Sequence, residues 1–103
     1  MELRKGDYGY DINFTARKED GTIYDLSTVT SIKFVVRRAN DATNILNGTC
    51  VVVNAVAGTC KYTVASGNFD EIGNFIGGLR LITATSQLSS KEINITVSEP
   101  FKY

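Results

Sequence analysis

The sequence predicts an all-β domain in which about seven antiparallel strands form a two-sheet sandwich. Apolar and polar residues alternate with a period of two in several segments, and turn residues such as Asp-Gly separate these segments. No segment shows the periodicity of a long helix. A closed barrel is the structural alternative, because strand number and spacing do not separate the two architectures.

Residues 70–84, DEIGNFIGGLRLITA, are expected to supply the central strand. In an extended chain Phe75, Leu79 and Leu81 project to one face, and Gly77 leaves space there for a bulky neighbour, so this face should lie in the core. The opposite face is mixed rather than polar, and we expect another chain or a neighbouring strand to cover part of it. This outer face carries Asn74, Ile76, Gly78, Arg80 and Ile82.

The remaining segments are assigned from the same alternation and from turn chemistry. Strands are expected at 8–17, 23–26, 32–37, 49–54, 59–65 and 93–98, and 45–47 is either an edge strand or a bridging segment. Residues 27–30 are expected to form a loop, and residues 40–43 and 86–90 are expected to form turns. Residues 66–73 are expected to form a connection with a helical turn around 69–72, where Phe69 plugs the end of the core. Pro100 should end the last strand.

The 103 residues fit one domain, 1–103, with residues 99–103 as a C-terminal tail. Eleven basic residues balance eleven acidic ones, so we expect no nucleic-acid partner. The sequence has neither a secretory signal nor a run of about 18 apolar residues, so we expect no membrane association and assembly in a cytoplasm. In the tail, Phe101 and Tyr103 either dock on a neighbouring subunit or fold back over their own sandwich.

Cys50 and Cys60 each end a Gly-Thr-Cys triplet and flank one hairpin turn at 55–58. That turn pairs Asn54 with Thr59 and sets Cys60 opposite Val53, which places Cys50 on the other face of the sheet. The two thiols could not bond in this register, and we expect them to be free, as in a reducing compartment. A slip of one residue would allow a disulfide.

The sequence has no histidine, so catalysis that depends on a histidine base and zinc sites with histidine ligands are excluded. Carboxylate pairs could serve glycoside hydrolysis, but they occur in turns and at strand ends, where aspartate usually accepts backbone hydrogen bonds. These pairs are Asp7 with Asp11, Glu19 with Asp20, and Asp70 with Glu71. Asp20 and Asp25 could contribute to a calcium site, although no loop has EF-hand spacing. We therefore expect no catalytic, cofactor or metal site.

The five tyrosines suggest a second class of function, carbohydrate binding, because exposed aromatic rings stack on sugars. Tyr8, Tyr10 and Tyr62 occupy apolar positions of their strands and are expected in the core. Tyr24 and Tyr103 are then the exposed candidates.

The corner at 70–77 resembles the approach to the F strand of immunoglobulin-like domains, although Phe75 lacks the hydroxyl of a tyrosine corner and Gly77 replaces the cysteine of antibody domains. The order of motifs along nearly the whole chain resembles the N-terminal immunoglobulin-like domain of phage upper baseplate proteins and related small virion proteins. These motifs are Gly6-Asp7, the alternating strand 8–17, Asp20-Gly21, Asp25-Leu26, the strand 32–36, Gly48-Thr49-Cys50, Gly58 with Tyr62, and Gly73-Asn74-Phe75.

This resemblance implies an immunoglobulin-like sandwich that is a non-enzymatic structural protein of a phage virion, in the tail, baseplate, neck or head decoration. It implies contacts with other virion proteins, several copies around a symmetry axis and no cofactor. With Met1 and no further module, the chain is expected to be a stand-alone subunit. From the mixed outer face and the aromatic tail, the subunit interface is expected at Ile76, Arg80, Ile82, Phe101 and Tyr103. A carbohydrate-binding or adhesion module is the alternative.

Overall fold

The computed structural model describes residues 1–40 and 43–99, and this part of the chain forms nine strands. Alternating burial along these strands confirms the predicted all-β class. In chain order the strands are β1 Glu2–Arg4, β2 Asp11–Thr15, β3 Val29–Arg38, β4 Asn44–Thr49, β5 Val51–Asn54, β6 Thr59–Thr63, β7 Gly73–Thr83, β8 Gln87–Ser89 and β9 Ile93–Ser98.

The strands are arranged in two sheets. The large sheet has the order β1-β9-β7-β3-β4, and the small sheet has the order β2-β6-β5. β8 and β9 lie one after the other along the same edge of β7, next to its C-terminal and N-terminal halves respectively. All neighbours are antiparallel except β1, which is parallel to β9. Among the described residues the ladders form two separate sheets, so the chain is the predicted sandwich and not the barrel.

The pairing of β3 with β7 forms the middle of the large sheet and places the predicted apolar face in the core. Phe75, Leu79 and Leu81 are buried on β7, as predicted from their shared parity. Phe34 of β3 is opposite Leu79 and is fully buried. The central strand is thus confirmed, with bounds of 73–83.

The ring of Phe34 connects the two sheets. Its centroid is 4.8 Å from that of Phe14 on β2 and 5.5 Å from that of Tyr62 on β6, both strands of the small sheet. Phe69 lies 6.5 Å away and is buried at the end of the core, as predicted, although residues 66–69 form a turn and not a helix. Tilted aromatic pairs at these distances stabilise a core beyond the area that they bury.

Two glycines of the large sheet make room for this aromatic cluster. A Cβ atom on Gly48 would lie 2.2 Å from a ring carbon of Tyr62, and a Cβ atom on Gly77 would lie 3.1 Å from the ring of Phe34. Both positions are therefore closed to larger residues without rearrangement of the core.

The N-terminal strand is shorter than the predicted 8–17. Gly9 has a φ of 82°, which turns the chain, and regular pairing begins only at Asp11. The prediction that Tyr8 lies in the core is wrong, since 63% of its surface is exposed. Tyr10 is half-buried, and Tyr62 is buried as predicted.

Other segments also differ from the prediction. Residues 23–26 form only an isolated bridge between Arg17 and Ile23, and no strand. The predicted loop at 27–30 contains the start of β3, the predicted turn at 86–90 contains β8, and β1 was not predicted. The segment 45–47 lies within β4, an edge strand, which confirms one of its two interpretations. The turn predicted at 40–43 includes Asp41 and Ala42, and the end of the last strand includes Pro100, so both lie outside the described residues.

The hairpin of β5 and β6 shows that the predicted position of Cys50 is wrong. Asn54 pairs with Thr59 as expected, but the register shifts between Val52 and Asn54, so that Cys60 is opposite Val52 rather than Val53. This irregularity breaks the alternation on which the prediction depended. Cys50 is buried in the same core as Cys60, and both thiols are free, as predicted.

Replacing Gly48 with Ala should destabilise the fold by about 1–3 kcal/mol, because the added methyl group meets the buried Tyr62 ring. Urea unfolding, followed by circular dichroism, measures this change in the free energy of unfolding. Gly78→Ala is the matched control on the opposite face of the large sheet, where a Cβ atom would meet nothing closer than 4.0 Å. Equal losses in the two variants would contradict this account of the core.

Candidate protein-binding surface

The outer face of β3 and β7 brings three of the predicted interface residues together. Across the two strands, Ser31 is opposite Ile82, Lys33 is opposite Arg80, and Arg37 is opposite Ile76. Ile76, Arg80 and Ile82 thus share one face, with the isoleucines half-buried and the arginine exposed. Phe101 and Tyr103, the other two predicted residues, lie outside the described residues.

A shallow groove of about 210 Å³ runs along this face, beside the segment 90–92 that connects β8 to β9. Gly78 has no side chain to fill the groove, and the chain leaves the edge of β7 after Ser90, since the N–H of Lys91 donates to the carbonyl of Arg17 at 2.9 Å. The groove is lined by Val35, Arg37, Asn44, Ile76, Gly77, Gly78, Leu79, Arg80, Ser89, Ser90 and Glu92.

Ser90 holds the wall of this groove in place. Its Oγ accepts a hydrogen bond of 2.9 Å from the backbone N–H of Leu79, and its own N–H donates to the Leu79 carbonyl at 2.9 Å. The Oγ also donates to the carbonyl of Lys91 at 3.1 Å. Ser90, which is buried, therefore pairs both backbone groups of Leu79 just beyond the end of β8.

The groove is bordered by positive charge. Lys33 and Arg80 are direct cross-strand neighbours, an arrangement in which like charges repel. Lys33 Nζ donates to Thr49 Oγ1 at 2.6 Å, while no described side chain forms a hydrogen bond or ion pair with Arg80. Glu92 supplies one negative charge on the opposite wall. The face is therefore best matched by an anionic group from outside the chain.

The small sheet presents a second surface along β5. Val51 and Val53 are each 60% exposed, and Val56 in the following turn is 75% exposed. β5 is also an edge strand, and among the described residues no strand pairs with its other side. Sequence reasoning found this hairpin but missed its exposed valines. Successive side chains of a strand point to opposite faces, so three consecutive valines cannot all face one core. This pattern in the sequence could have predicted the exposed valines.

Two of the carboxylates considered for catalysis, Asp11 and Glu71, form local hydrogen bonds and ion pairs. Asp11 accepts a hydrogen bond from Thr63 Oγ1 at 2.6 Å and lies 3.5 Å from Lys61 Nζ, and these contacts hold its pKa below the ordinary value. Glu71 forms a bidentate ion pair with Arg38. A general acid needs a raised pKa, which is the opposite of what Asp11 has.

The residues considered for calcium are also engaged locally. Asp20 accepts hydrogen bonds from Thr22, and Asp25 accepts them from Ser27, and in each case these bonds lower the pKa of the carboxyl group. No group of three or more potential ligands, counted among His, Cys, Asp and Glu, is present in residues 1–40 and 43–99. The same ranges contain no helix of the length and apolarity needed to cross a membrane.

Tyr24, predicted to be exposed, is half-buried, because its hydroxyl donates to the Ser89 carbonyl at 3.3 Å and the Lys18 ammonium lies 5.5 Å from its ring centroid. The ring is therefore partly covered and does not form an open stacking platform for a sugar. Tyr103, the other candidate, lies outside the described residues. Carbohydrate binding stays a prediction that no contact in the described part of the chain supports.

The described residues thus form a β-sandwich with a grooved, basic face and an exposed apolar edge. The chain belongs to the family of BppU N-terminal domains, whose model matches residues 1–100. The family takes its name from the N-terminal domain of the baseplate upper protein, so the resemblance inferred from motif order is confirmed, and this membership indicates a phage baseplate-related structural protein. No curated protein matches the sequence.

Replacing Ser90 with Ala should lower the free energy of unfolding by about 1–3 kcal/mol, because the buried N–H of Leu79 loses its acceptor. Ser89→Ala is the matched control, since that side chain is exposed and its backbone carbonyl is kept. Chemical denaturation of the two variants checks the difference, and an unaffected Ser90 variant would show that the fold does not depend on this bond.

Proposed function

We propose that this chain is a non-enzymatic assembly module of a phage virion that binds other structural proteins through the outer face of its large sheet. The observation that carries the proposal is the cross-strand pair of Lys33 and Arg80, left without a neutralising carboxylate beside a preformed groove. Membership in a baseplate domain family supports a place in the particle. We further propose that assembly takes place in the host cytoplasm.

The strand order supports an immunoglobulin-like topology for this module. In the large sheet β9, β7 and β3 are consecutive and β4 extends them, while β2, β6 and β5 form the opposite sheet. This division corresponds to the G, F, C and C′ strands of a variable-type domain facing its B, E and D strands. β7 then occupies the position of the F strand, as the corner at 70–77 predicts.

The chemistry of the groove favours a partner segment that carries aspartate or glutamate. A carboxylate placed between Lys33 and Arg80 would remove their mutual repulsion and could accept paired hydrogen bonds from the guanidinium. The half-buried side chains of Ile76 and Ile82 would add apolar contact on either side. Net charge is zero over the sequence, so this attraction is local and gives no general affinity for nucleic acid.

Several copies of the chain could also associate through β5. An edge strand with exposed valines and no charged residue can pair with the same strand of a second copy in antiparallel fashion. We propose this edge as the contact that makes the chain a homo-oligomer in the particle.

The substitution Arg80→Glu should reduce incorporation into particles without lowering the stability of the fold. The variant replaces the repulsion with Lys33 by attraction, so its free energy of unfolding should be unchanged or higher by up to about 1 kcal/mol. An acidic partner would be repelled, and incorporation into particles should fall at least tenfold. The measurement is quantitative mass spectrometry of purified particles from a host that supplies the variant to a phage lacking the gene.

Lys5→Glu is the control for that experiment, because it makes the same change of charge at an exposed loop position away from the groove. It should be incorporated normally. Normal incorporation of Arg80→Glu, or equal loss in both variants, would refute the proposed contact surface.

Val53→Lys tests the second surface. The exposed position tolerates a long polar side chain, so the fold should be kept, while two lysines brought together across a β5–β5 contact would weaken association. Sedimentation velocity at several concentrations should show oligomers for the native chain and monomers for the variant. If both sediment as monomers, β5 does not mediate self-association in solution.

A further inference from the structure

β4 is an edge of the large sheet, and in the described part of the chain it pairs with β3 alone. The strand has six residues, Asn44–Thr49, and contains neither proline nor a charged side chain. Proteins usually protect an exposed edge with charges, with proline or by keeping the strand very short. The opposite edge of the sheet follows this rule, since β1 has three residues and carries Glu2 and Arg4. β4 is therefore open to pairing with another chain.

The backbone of β4 directs hydrogen-bonding groups away from the sheet. The N–H of Cys50, just beyond the end of β4, donates to the carbonyl of Ile32 at 2.8 Å. In an antiparallel pair only alternate residues bond to the neighbouring strand, so Gly48 faces β3 while Asn47 and Thr49 turn their N–H and C=O groups outward. Both of these residues are exposed. Their backbone groups can thus pair with an added strand without any change in β4.

A cation lies on the outer face of β4 beside this open edge. Thr49, Lys33 and Arg80 form one row across β4, β3 and β7. The Lys33 ammonium reaches over β4 and donates to Thr49 Oγ1 at 2.6 Å, and no ion pair within residues 1–40 and 43–99 includes it. Neighbouring strands lie about 4.8 Å apart, so a carboxylate placed opposite Thr49 on an added strand would be within reach of this ammonium.

The inner side of an added strand would meet apolar surface. Val52 is opposite Cys60, and residues directly opposite each other share a face of the sheet, so the Val52 side chain is directed inward. Val52 is nevertheless 40% exposed, whereas Cys60 is fully buried. The chain passes from β4 to β5 through Cys50 alone, which places both edge strands on the same side of the sandwich. Apolar side chains of a strand added to β4 would therefore cover Val52.

We propose that β4 binds an extended segment of a partner protein, in which acidic and apolar residues alternate, as an additional strand of the large sheet. The acidic side chains lie on the outer face beside Lys33, and the apolar ones lie inside over Val52. A second copy of this chain is a poorer occupant, because β4 has no aspartate or glutamate to offer to Lys33. This inference rests on the proposed function, since it gives the acidic partner of the outer face a conformation and a position.

Hydrogen exchange of the native chain, measured by NMR, tests the site with a synthetic peptide of alternating glutamate and valine whose ends are blocked. At about 1 mM the peptide should slow exchange of the Asn47 and Thr49 amide protons by roughly threefold or more. The amide of Gly48, which already faces β3, should change little. Unchanged exchange at Asn47 and Thr49, or protection of the β5 amides in their place, would overturn the proposal.

A second peptide with lysine in place of glutamate is the control for charge. It should leave the exchange of both amides unchanged, because its ammonium groups are repelled by Lys33. Equal protection by the two peptides would show that the edge does not select an acidic strand and would refute that part of the proposal.

Asn47→Pro tests the edge in particles, because it removes one outward N–H at a position where an edge strand accommodates proline. Incorporation should fall by roughly tenfold, while the matched control Asn47→Ala, which keeps the N–H, should be incorporated normally. Circular dichroism checks that the proline variant is folded. If it is not, Lys33→Glu, which leaves the backbone of β4 unchanged, should abolish the protection by the acidic peptide, and full protection would contradict the proposal.

The result for Arg80→Glu distinguishes this inference from the proposed function. Loss of incorporation with Arg80→Glu but not with Asn47→Pro would overturn the added strand and keep the outer face as the contact surface. Loss with Asn47→Pro alone would support the added strand and refute the contact at the groove. Normal incorporation of both variants would overturn both proposals.

Discussion

The packing of the Phe34 ring against the opposite sheet is the interaction on which the rest of the sandwich depends. The ring lies within stacking distance of Phe14 and Tyr62, and these contacts hold the sheets together. Such close approach is possible only because Gly48 and Gly77 occupy the strands on either side of β3. A slip of one residue in the pairing of β3 with β4 would bring Asn47 or Thr49 to the position of Gly48, so the aromatic cluster also fixes this register.

The register that serves the core determines the chemistry of the outer face. Aligning Phe34 with Leu79 inside necessarily aligns Lys33 with Arg80 outside, because neighbouring residues of a strand point in opposite directions. Stability alone would favour opposite charges at that position. The like-charge pair is therefore set by the register of the core and adds no stability of its own, which agrees with the proposed contact with an acidic partner.

Sequence reasoning recovered the parts of the chain that follow strict alternation. The inner face of β7 and the strand β9 were predicted because burial on one side of a sheet imposes period two. β8 was missed because Gln87–Ser89 is short and polar, and its strand state depends on pairing with β7. The position of Tyr8 was predicted wrongly because Gly9 turns the chain out of the sheet. The alternation of apolar and polar residues does not reveal this turn.

The candidate sites illustrate the same division. Ile76, Arg80 and Ile82 lie on a regular strand, and parity alone placed them on one face. The groove wall at Ser90 lies where the chain leaves the edge of β7, and Cys50 is buried in the same core as Cys60 where the register of the hairpin shifts. At a register shift, one extra residue moves the side chains that follow it to the opposite face of the sheet. Hydrogen bonds from segments distant in sequence then determine which side chains face the core. These irregularities thus account for a groove and for the burial of both cysteines in one core, which regular alternation does not predict.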